Sequence, residues 1–191
     1  MCRTADGGAA DCHGGISQAV NDIGTAAANA SNGEAAAQLG ELVEFFGAEG
    51  EDNGVVFVIG DPGQGGAATA NTSSDGTVTI TVRQSNADAA LENKWGQRLS
   101  FAGTIGHEGR HGVDRRPFGG NPGTRGEAQQ TERNAARDET SISHGLRASG
   151  MMGGFRVGVP AIGTSPTDVD AAVNRLADES VRLWCERGGN C

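Results

Sequence analysis

The chain contains no tyrosine, and aromatic residues make up only 4% of its 191 residues. That excludes a core built on large rings; the buried surface has to be lean and alanine-rich. Basic charge is also short: 15 Lys and Arg face 24 Asp and Glu, for a net charge of -9. Such a balance argues against nucleic acid or an anionic membrane as the main partner. No apolar run approaches the roughly 20 residues of a membrane-spanning helix. The first residues lack the basic-then-apolar pattern of a secretory signal. Histidine is scarce, with four residues in all. Glycine is the opposite extreme at 32 residues, which implies many loops and close backbone approaches. A chain of this length is expected to form one domain, 1–191, with its own core.

The four cysteines stand only at the ends: Cys2 and Cys12, then Cys185 and Cys191. An even number in terminal positions suits disulfide staples and an oxidising compartment, and leaves three pairings open. A structural zinc site from Cys2, Cys12 and His13 would lack the usual C-x-x-C pair.

Along the chain, a weak helix of small residues is expected over about 16–30. A better one follows, in which Ser31 and Glu34 have capping-box spacing, Leu39, Leu42, Val43 and Phe46 make an apolar stripe, and Gly47 ends it. Val55 to Ile59 reads as a buried strand, 60–76 as loop, and Thr77 to Val82 as an alternating strand at the sheet edge. A helix over about 99–113 carries glycines at Gly103, Gly106, Gly109 and Gly112, each costing up to about 1 kcal/mol relative to alanine. Their presence implies another element pressed against that ridge. A loop through Pro117 and Asn121-Pro122-Gly123 leads to a polar helix over about 127–146, which Gly150 to Gly154 breaks. The last helix starts with Ser165 as cap, Pro166 in the first turn and Asp168 near the positive end, and points Val169, Val173, Leu176, Val181 and Trp184 inward.

The run His107-Glu108-Gly109-Arg110-His111 carries the most chemistry. On a helix, the first and fifth positions of H-E-x-x-H lie one turn apart on one face, so two imidazoles can reach one zinc ion. Glu108 then sits where its carboxylate can take a proton from a metal-bound water. A catalytic zinc needs a third protein ligand. The pattern that places it six residues past the second histidine fails, because that position is Pro117. The other pattern takes a glutamate from the next helix, with Glu127 and Glu132 as candidates and Asp138 and Glu139 farther along.

Other residues near the motif have weaker claims. Asp114 falls near the same helical face, where it is placed either to hydrogen-bond a ligand histidine or to orient the loop; the plainer reading is a helix C-terminal residue beside Arg115 and Arg116. His144 is a candidate oxyanion stabiliser in a chain without tyrosine, although an exposed side chain is the simpler reading. Arg110 lies on a different face from the histidines and is assigned no chemistry. His13 reads as surface. Met151-Met152 reads as core or turn filler.

The stretch Thr104-Ile105-Gly106-His107-Glu108-Gly109-Arg110-His111-Gly112-Val113-Asp114, followed by Thr131-Glu132-Arg133-Asn134-Ala135-Ala136, resembles the zincin-type metallopeptidase domains at the C-termini of large exported bacterial proteins, including polymorphic toxins and proteins with RHS or haemagglutinin repeats. The resemblance covers about residues 99–147. It implies an α+β, zincin-like fold, with a small β-sheet packed on the H-E-x-x-H helix and several further helices. It also favours Glu132 over Glu127 as third ligand. Ala136 departs from the pattern, which usually has an aromatic there. The expected function is a zinc-dependent hydrolase, a metallopeptidase of the glutamate-completed kind. In it His107, His111 and Glu132 hold Zn2+ and Glu108 is the general base. Its substrate would be a protein or peptide; a secreted or exported location, with a larger carrier chain or a cognate immunity protein as partner, goes with the resemblance. The alternative is a catalytically inactive, metal-stapled interaction domain of a secreted bacterial protein.

Overall fold

The uncharged run Val55–Ile59 forms a strand whose first three residues are all buried, the pattern of a strand covered on both faces. The structure, a computed structural model, describes residues 2–3, 8, 11–63, 66–92, 94–116, 122–150 and 166–186, without the side chains of 166–169. Within them the elements run β1 (Cys2–Arg3), α1 (Gly14–Ala28), α2 (Gly33–Phe46), β2 (Val55–Ile59), β3 (Ala68–Thr72), β4 (Val78–Val82), α3 (Gln84–Leu91), α4 (Trp95–Arg115), α5 (Arg125–Ala148) and α6 (Pro166–Glu186). The class is α+β: six helices and one mixed four-stranded sheet of order β1-β2-β4-β3. β1 and β4 flank β2 in parallel, and β3 pairs antiparallel with β4 from Ala68 opposite Val82 to Thr72 opposite Val78.

Two expectations about the sheet are corrected. β4 is an inner strand and not the edge; Val78, Ile80 and Val82 are fully buried while Thr79 and Thr81 are half-buried. The edge on that side is β3, inside the segment that reads as loop. Its sequence, Ala-Thr-Ala-Asn-Thr, has only Ala70 buried, so no apolar alternation announces it. Pairing to β4 and a tight turn make it a strand: Ser73 N donates to Thr77 O, and Gly76 adopts φ +84° between them.

The helices follow most of the expected stripes with shifted ends, although in α2 Phe45 is buried with Leu39, Leu42 and Phe46 while Val43 is only half-buried. α1 is capped by His13, whose Nδ1 accepts from Gly15 N at 3.1 Å while Nε2 lies 2.9 Å from Asp88 Oδ1. In α2 the cap is Asn32, accepting from Ala35 N at 2.8 Å, so the Ser31–Glu34 capping box does not form. The eight-residue α3 has no apolar stripe to announce it, being half polar with only Ala87 and Ala90 buried. In α6, Val173 and Val181 are buried and Trp184 partly so, but Leu176 is 45% exposed and Ala172 and Ala177 take the inward face with the valines. Ser165, Pro117 and Met151-Met152 lie outside the described residues, as do the side chains of Pro166, Asp168 and Val169.

α4 runs through the middle, against α1, α2, α3 and α5 and against β3 and β4 of the sheet. Its glycines explain how. A Cβ on Gly106 would stand 2.2 Å from Ile142 Cδ1, one on Gly109 2.4 Å from Phe46 Cζ, and one on Gly112 2.5 Å from Phe45 Cζ. Three large side chains thus press directly on the helix backbone, and their packing offsets the glycines' poor helix propensity. Cys2 and Cys12 form a disulfide that ties β1 to the start of α1. Cys185 is also disulfide-bonded; Cys191 lies outside the described residues. Among the described residues no helix is long and apolar enough to cross a membrane.

Candidate metal centre

One turn of α4 separates His107 from His111. Their rings meet edge to face with centroids 4.8 Å apart, and the two Nε2 atoms are 3.1 Å apart. Glu132, in the second turn of α5, reaches both: Oε2 is 3.4 Å from His107 Nε2, and Oε1 is 3.3 Å from His111 Nε2. Among the described residues this is the one group of three or more side chains with metal-ligand chemistry gathered at one point.

The spacing fits a shared cation. Zinc bonds of about 2.0–2.1 Å in a tetrahedron place neighbouring ligand atoms about 3.3–3.4 Å apart; here the two Nε2 atoms are 3.1 Å apart and each has its own Glu132 oxygen within 3.4 Å, and one donor atom from each residue lies within 4.8 Å of the others. The donor set of two imidazoles and one carboxylate suits zinc and other first-row divalent ions. Charge balance points the same way. Burial opposes a proton on His107, yet the carboxylates of Glu132, Glu139 and Glu108 outweigh it and push the imidazole up to about 10. Burial, with the charge of His107 added, holds His111 below its ordinary value despite Glu132. Burial would raise Glu132, but the two histidines pull it well below the usual carboxylate range. In the bare protein the proton on His107 thus offsets the charge of Glu132.

The capping of α5 decides which glutamate faces the histidines. Thr124 and Glu127 form a capping box: Thr124 Oγ1 accepts from Glu127 N at 3.2 Å, and Glu127 Oε2 accepts from Thr124 N at 3.0 Å and Gly123 N at 2.9 Å. Glu127 is thus occupied at the helix start, and Glu132, five residues on, turns toward α4. Ala135 and Ala136 are buried; at Ala136, where the resembled pattern has an aromatic, the small residue is packed in the interior.

Three polar contacts from Arg110 lock α4 to its neighbours, one to α5 and two to α2. Arg110 Nε donates to Asp138 Oδ2 at 2.6 Å, Nη1 to Glu41 Oε2 at 2.6 Å, and Nη2 to Gln38 O at 3.0 Å. Arg110 is therefore a clamp between α4, α5 and α2. Asp114 does not bond a ligand histidine as its spacing suggests; its Oδ2 instead accepts from Asn134 Nδ2 at 2.9 Å, fixing α5 two residues beyond Glu132. Glu139 stands behind His107, its Oε2 3.6 Å from His107 Nδ1. His111 Nδ1 is buried with no hydrogen-bond partner among the described residues.

Glu108 points toward the sheet: its Oε2 accepts from the main-chain N–H of Ala70 in β3 at 2.8 Å. Arg115, one turn beyond His111, is a residue that the motif alone does not single out, although the spacing 107, 111, 115 puts it on the same stripe. Its Nε is buried without a hydrogen-bond partner among the described residues. Burial works against its charge, while Glu132, Glu108 and Asp114 support it. His144 is not part of the centre; it lines a groove of about 400 Å³ with residues such as Ser31, Gln38 and Arg137. No protein-family model matches the chain, and neither a curated protein nor a solved structure matches it significantly.

Proposed function

We propose that the protein is a zinc-dependent metallopeptidase of glutamate-completed zincin type, acting as an exported bacterial domain. The observation that carries this reading is the convergence of His107, His111 and Glu132 at one point, with Glu108 on the same helix as the two histidines. A zinc ion bound there would supply a water of lowered pKa and would polarise the carbonyl under attack. His107, His111 and Glu132 would hold the ion. Glu108 would serve as the general base for the attacking water and pass the proton to the leaving amine. Arg115 would offer positive charge to the developing oxyanion, whereas His144 lines a groove that does not include the three ligand residues.

The edge strand supports a peptide as substrate. Ala67 O accepts from Arg83 N and Ser73 N donates to Thr77 O, so odd-numbered residues of this stretch bond toward β4. The even-numbered Ala68, Ala70 and Thr72 then present main-chain groups to the outer side, and Glu108 takes the N–H of Ala70. An extended chain laid along that edge would pass the general base and could be held by strand addition. The Cys2–Cys12 disulfide agrees with export to an oxidising compartment. A larger carrier chain and a cognate immunity protein are the partners this reading calls for.

Glu108→Gln tests the assignment. It should keep zinc and lose cleavage of a peptide library, whereas His111→Ala should lose the metal. Full cleavage by Glu108→Gln would remove the general base from the mechanism. The rival reading draws on the same link between α4 and α5, as a metal staple; stoichiometric zinc in a wild-type protein that cleaves nothing would favour it.

A further inference from the structure

Both ligand histidines turn Nε2 toward Glu132, so each has Nδ1 on the far side. The two far sides differ. That of His111 is buried with no hydrogen-bond partner among the described residues, whereas that of His107 has the Glu139 carboxylate 3.6 Å away. Glu139 comes from α5, seven residues after Glu132, which is two turns on and the same face. The carboxylate that contacts Nε2 and the one behind Nδ1 therefore belong to one stripe of one helix.

α4 makes room for this second carboxylate. Gly103 lies one turn before His107, and a Cβ there would stand 3.0 Å from Glu139 Cγ. The other glycines of the ridge receive apolar side chains: Ile142 at Gly106, Phe46 at Gly109, and Phe45 with Val78 at Gly112. Gly103 alone in that series receives an acid. Glu139 is also about half exposed, at 47%, so the core does not force it into this position. Apolar packing explains the other three glycines and leaves Gly103 unexplained.

We propose that Glu139 is a positioning residue for the metal centre, holding His107 in the tautomer with its proton on Nδ1 and its lone pair on Nε2, and that Gly103 is glycine so that Glu139 can reach it. A carboxylate behind a ligand imidazole sets the ring's orientation and increases its donor strength, and removing such a partner costs on the order of 10–100-fold in metal affinity. This rests on the zinc reading above and adds to it an unequal pair: His107 is the oriented histidine, His111 the unsupported one.

The experiment measures zinc affinity of the full chain by competition with a chromogenic chelator. The variants are Glu139→Gln, Gly103→Ala and the double variant, with unfolding of the metal-free forms followed in parallel. Glu139→Gln should weaken zinc by about tenfold or more with little change in metal-free stability. Gly103→Ala should weaken it too, by displacing Glu139. The double variant should lose little beyond the larger single loss, because both changes break one contact. Histidine nitrogen spectra of the zinc-loaded protein should show His107 protonated on Nδ1, with that signal shifted in Glu139→Gln.

Wild-type zinc affinity in Glu139→Gln, or strictly additive losses, would overturn the proposal while leaving the zinc site in place. Weaker zinc accompanied by an equal loss of metal-free stability would also overturn it, since Glu139 would then be supporting the fold. A wild-type protein that binds no zinc removes the metal reading itself, a result distinct from either.

Discussion

Arg110 and Asp138 form a buried ion pair, Nε to Oδ2 at 2.6 Å, with side chains 7% and 1% exposed. It ties the helix of the two histidines to the helix of Glu132. The Arg110 contact to Glu41 is a different matter, because Glu41 is 56% exposed and such pairs contribute little. Removing one partner of a buried pair leaves the other charged and desolvated, typically at a cost of roughly 3–5 kcal/mol. Arg110→Met should therefore destabilise the metal-free protein by about that much in chemical denaturation. Adding Asp138→Leu should recover most of it, since the orphaned charge is then gone. A loss below about 1 kcal/mol for the single change would mean that the pair is solvated in practice.

Glu127 and Glu132 should separate cleanly by substitution. Glu132→Ala removes a carboxylate that contacts both histidines, so zinc binding should be lost. Glu127→Ala removes the acceptor for Gly123 N and Thr124 N at the start of α5. That loss should cost about 0.5–2 kcal/mol of stability, as other capping losses do, with zinc affinity nearly unchanged. Zinc titration and thermal unfolding of both variants read the two effects independently. The opposite outcome, zinc lost only with Glu127, would reassign the third ligand.

The same two glutamates show what is legible in the sequence. Thr124-Arg125-Gly126-Glu127 has capping-box spacing, a local signal that sets Glu127 apart as a cap. Ser31 and Glu34 have that spacing too, yet Asn32 takes the cap; the pattern names a neighbourhood and leaves the choice of capping side chain to local geometry. The H-E-x-x-H helix, the buried β2 and the inward faces of β4 and α2 are readable because apolar period and burial coincide there. β3 is not, because its residues are small and polar and its strand state depends on β4, a partner that local sequence does not reveal. Leu176 misleads for a related reason: helical period marks two adjoining faces, and alanines at 172 and 177 let the helix turn toward the smaller one. The glycines of α4 signal a close neighbour, but which side chain meets which glycine is a matter of packing between distant segments.

Zinc affinity should rise with pH. His107 is pushed up to about 10 in the metal-free protein, while binding requires the neutral imidazole. A proton thus competes with the metal throughout the neutral range. Glu132 is already ionised there, since the histidines hold it low. One proton should leave per zinc bound, so the apparent association constant should climb about tenfold per pH unit until the imidazole titrates near 10. Chelator competition across roughly pH 6.5–8.5 measures that slope, and a flat profile would mean that His107 is neutral without metal. The linkage has the opposite sign for the metal-free fold. Because the folded value lies above the ordinary 6.5, the stabilisation from protonated His107 is fully present below about 6.5 and is lost as pH rises through about 10.

Two glycine-to-alanine changes should move stability in opposite directions. In α1, Gly24 has nothing within 4 Å of an added Cβ. Alanine there keeps only its helix-propensity gain and should stabilise by up to about 1 kcal/mol. In α5, a Cβ on Gly145 would stand 2.3 Å from Ala26 O, 2.7 Å from its Cα and 2.8 Å from its carbonyl carbon. Those are backbone atoms of α1, so no side-chain rotation relieves the clash and the two helices must move apart. Overpacking of this kind costs about 1–3 kcal/mol or more, which exceeds the propensity gain. Gly145→Ala should therefore lower the unfolding midpoint while Gly24→Ala raises it. Two stabilising changes would mean that α1 and α5 lie farther apart in solution than their contact at Ala26 requires.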